Sequence, residues 1–247
     1  MIYYVYDGSF DGLLTCIYEA YYKHENPDDI VSMDKLDENF LVQKYYIETD
    51  RSKADKVYNS IEEKISLEAL KKVFYAYLSE LPKSGICILK YLRIGYKIGR
   101  QVDENLSNDA VLAIDKISHK VSIEKHRFLG ILRFKMLENE ILYAALEPEY
   151  NIVGLLASHF ASRLSNENWI IHDIKRNVAA LYNKKEWIVK EMTLENELII
   201  HEDEEDYQDM WRAYYKHMAI QSRKNLKLKK NYMPMKYWKH LVELSNL

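Results

Sequence analysis

The stretch Trp169–Met192, WIIHDIKRNVAALYNKKEWIVKEM, decides the fold class of the C-terminal half of the chain. It contains three runs rich in β-branched and aromatic residues, separated by two polar turns at Lys175-Arg176-Asn177 and Asn183-Lys184-Lys185. Runs of this length between polar turns are typical of consecutive antiparallel strands. The sequence therefore predicts three strands, at Trp169–Asp173, Val178–Tyr182 and Glu186–Met192.

The residues before this stretch predict a hairpin and a short helix. Apolar and basic residues alternate over Leu132–Met136, which is the period of a strand with one buried face. Ile141–Leu146 follows a polar turn at Glu138-Asn139 and is predicted to be the partner strand. A helix is predicted over Ile152–Leu164, and His126-Arg127 is placed at the opening of the sheet region.

The N-terminal half is predicted to be mainly helical. Ile2–Tyr6 is predicted as a short opening strand, and a second short strand is predicted around Leu41–Ile47. From there to about residue 120, apolar residues recur at helical spacing, and Ser66 is the expected N-cap of one helix. The predicted class is α+β: a helical N-terminal half with a short opening strand, then an antiparallel sheet of about five strands with flanking helices. We expect a mainly helical region 1–120 and a region 121–247 with the sheet, C-terminal helices and a basic tail, or one continuous domain.

Composition restricts the class of protein. The 247 residues are 48% hydrophobic and 30% charged, as in folded globular proteins. Cys16 and Cys87 are the two cysteines and form no C-x-x-C pair, which favours a reducing cytoplasmic location. The N-terminus does not resemble a signal peptide, and the chain has no uncharged apolar run of about 18 residues, so no membrane association is expected.

Charge is divided sharply near the C-terminus. Eight acids and no Lys or Arg lie between Glu195 and Asp209, whereas nine bases and no acid lie between Arg212 and His240. The net charge of −3 therefore combines +9 in the basic segment with −12 elsewhere, from 26 bases and 38 acids. The acids precede a predicted helix, so we interpret them as a complement to its dipole and predict no metal site.

The basic segment has two interpretations. Cations with interleaved aromatic rings suit the phosphates and unpaired bases of a nucleic acid. Alternatively, the lysines are only solvated and the rings attach the tail to the core. The candidate nucleic-acid-binding residues are Arg223, Lys224, Lys227, Lys229, Lys230, Tyr232, Lys236, Tyr237, Trp238 and Lys239.

Motifs of the common enzyme classes are absent from the sequence. There is no phosphate-binding glycine loop, no H-E-x-x-H and no G-x-S-x-G. The histidines are scattered, and His172 and Asp173 are expected to point to opposite faces of a strand. The sequence therefore specifies no reaction, no catalytic residue and no cofactor in this chain.

Several short motifs together resemble one family, the DNA metabolism or repair proteins that accompany a radical-SAM protein. The similarity covers nearly the whole chain and is weakest between residues 25 and 120. The motifs are Tyr6-Asp7-Gly8-Ser9-Phe10-Asp11-Gly12-Leu13-Leu14, His126-Arg127-Phe128-Leu129-Gly130, Leu132-Arg133-Phe134, Tyr143-Ala144, Glu147-Pro148, Leu156-Ala157-Ser158-His159-Phe160-Ala161-Ser162-Arg163, Trp169-Ile170-Ile171-His172-Asp173, Arg176 and the tail Pro234-x-x-Tyr237-Trp238-x-x-Leu241-x-Glu243.

This resemblance implies a domain of unknown biochemical function, sometimes fused to a uracil-DNA-glycosylase-like domain. The chain lacks the three-cysteine motif of radical iron–sulfur enzymes, so S-adenosylmethionine and the cluster would belong to the partner. The resemblance favours the nucleic-acid interpretation of the basic segment. The leading hypothesis is an accessory protein that binds DNA through the basic segment and has no catalysis of its own.

Two further hypotheses follow from the same residues. The first is a hydrolytic or glycosylase-like DNA-processing enzyme that uses His159 or Asp7. The second is a protein-interaction scaffold without intrinsic affinity for nucleic acid. Motif membership also suggests a second polar, anion-binding site around the sheet, formed by His126, Arg127, Arg133, His159, Arg163 and Arg176.

Overall fold

The computed structural model describes residues 1–36, 42–194, 198–223 and 225–244. Leu41, Glu195, Glu197 and Lys224, which figure in the predictions above, lie outside the described residues. The chain forms two compact units, Met1–Ser122 and Ile123–Leu247. Within the described ranges, no helix has both the length and the apolar character needed to cross a membrane.

The first unit combines a parallel sheet with a layer of helices. Its strands are β1 (Ile2–Tyr6), β2 (Asp29–Ser32) and β3 (Gln43–Tyr46), with β1 in the centre. Its helices are α1 (Phe10–Tyr22), α2 (Arg51–Lys64), α3 (Leu67–Leu78), α4 (Ser84–Ile98) and the first part of α5 (Asp109–Ile131). The predicted opening strand and helical character are confirmed, whereas β2 was not predicted.

Local caps and apolar packing explain these elements. The Ser9 hydroxyl accepts a hydrogen bond from Gly12 N at 2.9 Å, which starts α1, and Ser66 caps α3 in the same way through Ala69 N. Ile61 of α2 is fully buried in the same core cluster as Leu89 of α4. Each helix therefore buries its apolar stripe against the others, as its periodicity predicts.

The second unit contains a mixed five-stranded sheet. Its strands are β4 (Lys135–Met136), β5 (Leu142–Leu146), β6 (Asn168–Asp173), β7 (Val178–Asn183) and β8 (Trp187–Glu191), paired in that order. Neighbouring strands are antiparallel except for β5 and β6, because α6 (Val153–Arg163) connects those two as a crossover. The predicted α+β class is confirmed.

One boundary differs from the prediction. His126 and Arg127 do not open the sheet region; they lie on α5, which continues to Ile131. Val121, Phe128 and Leu132 are buried at spacings that fit a helix. The alternating pattern of Leu132–Met136 leads to only two paired residues, Lys135 and Met136.

The C-terminal segment, residues 198–244, follows the sheet. It contains α7 (Glu204–Met218), α8 (Leu226–Tyr232) and a 3-10 helix, Met235–His240. Asn225 caps α8, since its side-chain oxygen accepts from Leu228 N at 2.9 Å.

Candidate nucleic-acid interface

The last two lysines of the basic segment are neutralised by carboxylates. Lys236 Nζ lies 2.6 Å from a Glu149 oxygen, and Lys239 Nζ lies 2.5 Å from a Glu147 oxygen. The hydrogen bond from Lys239 lowers the pKa of Glu147 below its usual range. Lys236 and Lys239 therefore attach the tail to the sheet and do not present free charge.

Tyr237 is part of the core. Only 4% of Tyr237 is exposed, and its hydroxyl donates to Glu124 Oε1 at 2.6 Å. Glu124, itself 2% exposed, also accepts from the backbone amides of Glu149 and Tyr150. The Phe128 ring packs edge-on against Tyr237, with centroids 4.9 Å apart. The Tyr237 ring is therefore closed to a base.

Trp238 and Lys229 hold the tail against α7. The Trp238 Nε1 group donates to the Met233 carbonyl at 2.9 Å. Lys229 Nζ donates to the Tyr215 hydroxyl at 2.8 Å and lies 5.4 Å from the centroid of the Trp238 ring. No carboxylate within the described ranges pairs with Lys229, so no acid offsets its charge.

A cluster of free cations remains on α8 and just before it. Arg223, Lys227 and Lys230 are exposed, and no carboxylate within the described ranges pairs with them. Tyr232, at the end of α8, is 73% exposed. Together with Lys229, these residues form what we name the C-terminal basic surface: Arg223, Lys227, Lys229, Lys230 and Tyr232.

The preceding acid run does not cover this surface. Glu204, Glu205 and Asp206 occupy the first turn of α7, which confirms that they complement the helix dipole. Glu204 is also buried, where its Oε2 accepts from Met136 N at 2.8 Å. Within the part of the chain that the structure describes, Arg212 is the one base of the segment that pairs with the run, through Asp209.

The sequence analysis did not predict that aromatic and methionine side chains of α7 are exposed to solvent. Tyr207, Tyr214 and Met218 are more than half exposed. Tyr214 stacks on Trp211 with centroids 5.6 Å apart and planes at 29°. An amphipathic stripe usually indicates the buried face of a helix, so the sequence carries no signal that this stripe faces solvent.

Three arginines of the second predicted polar site contact residues outside the set. Arg133 forms an ion pair with Glu243 at 2.7 Å and stacks on Trp211. Arg176 pairs with the buried Asp173 at 2.9 Å, and Arg127 donates to the Asn231 carbonyl. These three arginines thus hold loops and the tail in place.

The remaining members of this set lie at the surface. His126 is exposed on α5, and His159 and Arg163 are exposed on α6. No hydrogen bond or ion pair within the described ranges joins any two of His126, Arg127, Arg133, His159 and Arg163. The second polar site therefore remains a prediction that rests on motif membership.

The candidate catalytic aspartate, Asp7, holds the turn that precedes α1. Asp7 Oδ1 accepts from the backbone and hydroxyl of Ser9, and Oδ2 accepts from Thr49 Oγ1 at 2.8 Å. Although burial raises the pKa of Asp7, these hydrogen bonds outweigh it and hold the pKa below its ordinary value. Among the described side chains, no three His, Cys, Asp or Glu residues gather in a way that could hold a metal ion.

Comparison with known proteins gives a family but no activity. No curated protein matches the sequence. A family model described as DUF4130, a domain of unknown function, matches residues 82–243, which include α4, α5, the whole mixed sheet and the C-terminal basic surface. The chain therefore belongs to the DUF4130 family.

Proposed function

We propose that this protein is a DNA metabolism or repair accessory factor that binds nucleic acid through the C-terminal basic surface. The observation that carries the proposal is the set of exposed cations on and before α8, Arg223, Lys227 and Lys230, which lack carboxylate partners within the described residues. Free Lys and Arg side chains on one short segment attract phosphates and release counterions.

An exposed ring beside these cations favours single-stranded nucleic acid. Tyr232, on α8 itself, is 73% exposed, and an aromatic face of this kind stacks on unpaired bases. A duplex keeps its bases stacked inside and offers only its phosphates to such a surface. The proposed preference is therefore for single strands over duplex.

The resemblance to proteins that accompany a radical-SAM protein supplies the second part of the proposal. The partner would carry S-adenosylmethionine and an iron–sulfur cluster and would perform the chemistry. This chain has two cysteines, Cys16 and Cys87, and the first is buried, so it does not offer the three thiolates that such a cluster needs.

A salt titration tests the nucleic-acid interface. We expect the anisotropy of a labelled single-stranded oligothymidine to rise on binding, with an affinity that falls steeply as salt increases. Lys227→Glu with Lys230→Glu is expected to weaken binding and to reduce the slope of log K against log salt by roughly 1.4, for two lost phosphate contacts. Lys229 is left intact because it also contacts Tyr215.

The matched control is Lys116→Glu with Lys120→Glu on α5. Both of these lysines are exposed and without a carboxylate partner in the described ranges, and the change in net charge is the same. If the control weakens binding as much as the α8 variant does, the affinity reflects total charge and the proposed surface is not the site.

The exposed stripe of α7 favours a second candidate function, a protein-interaction scaffold. Met210 and Met218 are exposed on the same helix as Tyr207, and exposed apolar patches often mark protein contacts. If the scaffold function is correct, Met210→Asp will abolish nuclease-resistant copurification with a co-expressed radical-SAM protein. A factor that acts only through nucleic acid would lose the copurification on nuclease treatment.

A further inference from the structure

A groove lined by tyrosines lies in the first unit, between α1, α2 and α4. The space between its walls is about 470 Å³, a volume that includes open solvent, so the groove is partly open and not an enclosed cavity. Ile17 and Val57 are buried and form its floor. We name it the tyrosine groove; its other lining residues are Tyr18, Tyr21, Tyr22, Lys56, Ser60, Lys64 and Tyr96.

The rings of this groove are packed against each other but still exposed. Tyr18 and Tyr22 are stacked, with centroids 4.1 Å apart and planes at 24°. Tyr21 meets Tyr22 and Tyr96 edge-on at 6.1 and 5.8 Å. Tyr21 and Tyr22 remain about half or more exposed, so their faces are available to a further flat ring.

Two lysines give the groove a positive mouth. Lys56 and Lys64 lie eight residues apart on α2, an axial separation of about 12 Å. Both are exposed, and neither pairs with a carboxylate in the described ranges. Their neighbour Lys53, in contrast, is bound to Glu19 at 2.7 Å. Of these three lysines, the two that line the groove are therefore the ones without a carboxylate partner in the described ranges.

The groove also contains hydrogen-bonding groups. Ser60 Oγ and Tyr96 Oη lie 2.6 Å apart, and Ser60 is on α2 midway between the two lysines. Ser60 also donates to the Val57 carbonyl at 2.9 Å, so Tyr96 donates to Ser60, and both oxygens can still accept a hydrogen bond from a ligand. Aromatic walls, a polar pair inside and cations at the mouth suit a flat heteroaromatic ring that carries a negative charge. A cationic or purely apolar ligand would not use the lysines.

We propose that the tyrosine groove binds an unpaired nucleobase, which stacks on the face of Tyr22 opposite Tyr18 and meets Tyr21 edge-on, while its phosphate contacts Lys56 or Lys64. The same chemistry is present in a free nucleotide and in one base of a single strand. The site belongs to the first unit and does not rest on the C-terminal basic surface.

The test uses the fluorescence of 2-aminopurine, which is quenched when the base stacks. The full chain with Lys227→Glu and Lys230→Glu is used, because these changes weaken the contribution of the C-terminal basic surface. The probes are 2-aminopurine deoxynucleoside monophosphate, the same nucleoside without phosphate, and a single strand with one 2-aminopurine. We expect saturable quenching, with the nucleoside weaker than the nucleotide because it lacks the charge for the lysines.

Two variants locate the site, each with a control. Tyr22→Ala is expected to weaken binding roughly tenfold, as for loss of one base–aromatic stack. Its control is Tyr58→Ala, an exposed tyrosine of α2 that does not line the groove. Lys56→Glu with Lys64→Glu is expected to weaken the nucleotide more than the nucleoside. The control for charge is Lys116→Glu with Lys120→Glu.

The outcomes are distinct. If the fluorescence of the mononucleotide is quenched on binding, the groove is a nucleotide pocket. If only the single strand is quenched, the groove is a stacking site for single-stranded nucleic acid. If no probe is quenched, or if Tyr58→Ala has the same effect as Tyr22→Ala, the proposal is overturned. Neither result depends on the C-terminal basic surface, whose own test is the salt titration.

Discussion

The Tyr237 hydroxyl and the Glu124 carboxylate are the centre of the contacts that hold the end of the chain against α5. Glu124 accepts three hydrogen bonds, one from Tyr237 and two from the backbone amides of Glu149 and Tyr150. A buried carboxylate is stable only when its oxygens are satisfied in this way. The hydrogen bond between Tyr237 and Glu124 therefore stabilises both buried side chains.

Tyr237→Phe isolates this hydroxyl. The variant keeps the ring packing on Phe128 but removes one hydrogen bond to a buried charge, so we expect the free energy of unfolding to fall by about 1.5–3 kcal/mol. Urea denaturation followed by tryptophan fluorescence measures the change.

Tyr232→Phe is the matched control for this measurement. Tyr232 is 73% exposed, and the loss of its hydroxyl should change stability by less than about 0.5 kcal/mol. In the same proteins, Tyr237→Phe should leave affinity for single-stranded DNA unchanged at temperatures where the fold is intact. A large loss of affinity would mean that Tyr237 contacts the nucleic acid after all.

The sequence predicts these residues only in part. A run of lysines with Tyr237 and Trp238 has the same composition whether its charges are free or paired. The partners of Tyr237 and Lys236 lie 113 and 87 positions away in the sequence, at Glu124 and Glu149. Nothing in the local pattern indicates those contacts, whereas the cap at Ser66 depends on its own helix and was predicted.

Close packing of α4 on β2 depends on a glycine. A Cβ atom at Gly85 would lie 2.5 Å from the Ile30 carbonyl oxygen, so a larger residue must displace the helix or the strand. Gly130, in α5, has open space around the same position. The two sites make a matched pair for one substitution.

We expect Gly85→Ala and Gly130→Ala to change stability in opposite directions. Gly85→Ala is expected to lower the free energy of unfolding by about 1–3 kcal/mol, because the core is overpacked. Gly130→Ala is expected to raise it by about 0.5–1 kcal/mol, because alanine favours the helix. Thermal denaturation of both variants measures the difference. Equal effects would contradict the close approach of α4 to β2.

At the scale of elements, the sequence predicts what local chemistry specifies. The strands β7 and β8 were predicted because short polar turns separate two β-rich runs. β2 has only four residues and pairs in parallel with β1, so its formation depends on a distant partner. The exposure of the apolar stripe of α7 also could not be predicted, since such a stripe shows that a helix is amphipathic but not what covers it.

Charge is distributed over the second unit so that acids attach the C-terminal segment and bases remain free on it. Glu147 binds Lys239, and Glu243 accepts from Arg133 and from the Trp211 indole at 2.9 Å. This arrangement explains how a chain of net charge −3 keeps an exposed cationic surface. Glu147, Glu149 and Glu243 are used in attachment, and no carboxylate of the described residues pairs with the cations of α8.

Attachment by carboxylates makes the C-terminal segment sensitive to acid. The hydrogen bond from Lys239 lowers the pKa of Glu147. Burial acts to raise the pKa of Glu243, but the hydrogen bonds from Arg133 and Trp211 outweigh it, and the pKa is also lowered from the ordinary value of 4.5. The unfolded chain therefore binds more protons than the folded one below about pH 4.5.

The sign of the pH dependence follows from this difference. The stabilisation by Glu147 and Glu243 is fully present above pH 4.5, the ordinary pKa of a glutamate, and is lost as the pH falls through their lower folded values. We expect the free energy of unfolding, measured in urea at a series of pH values from neutrality downward, to fall in this acid range. Glu243→Gln is expected to flatten the fall, because it removes the titration of Glu243, and an exposed glutamate such as Glu62 changed to Gln is the control. If Glu243→Gln and Glu62→Gln give the same slope, Glu243 does not stabilise the attachment of the C-terminal segment as an ionised carboxylate.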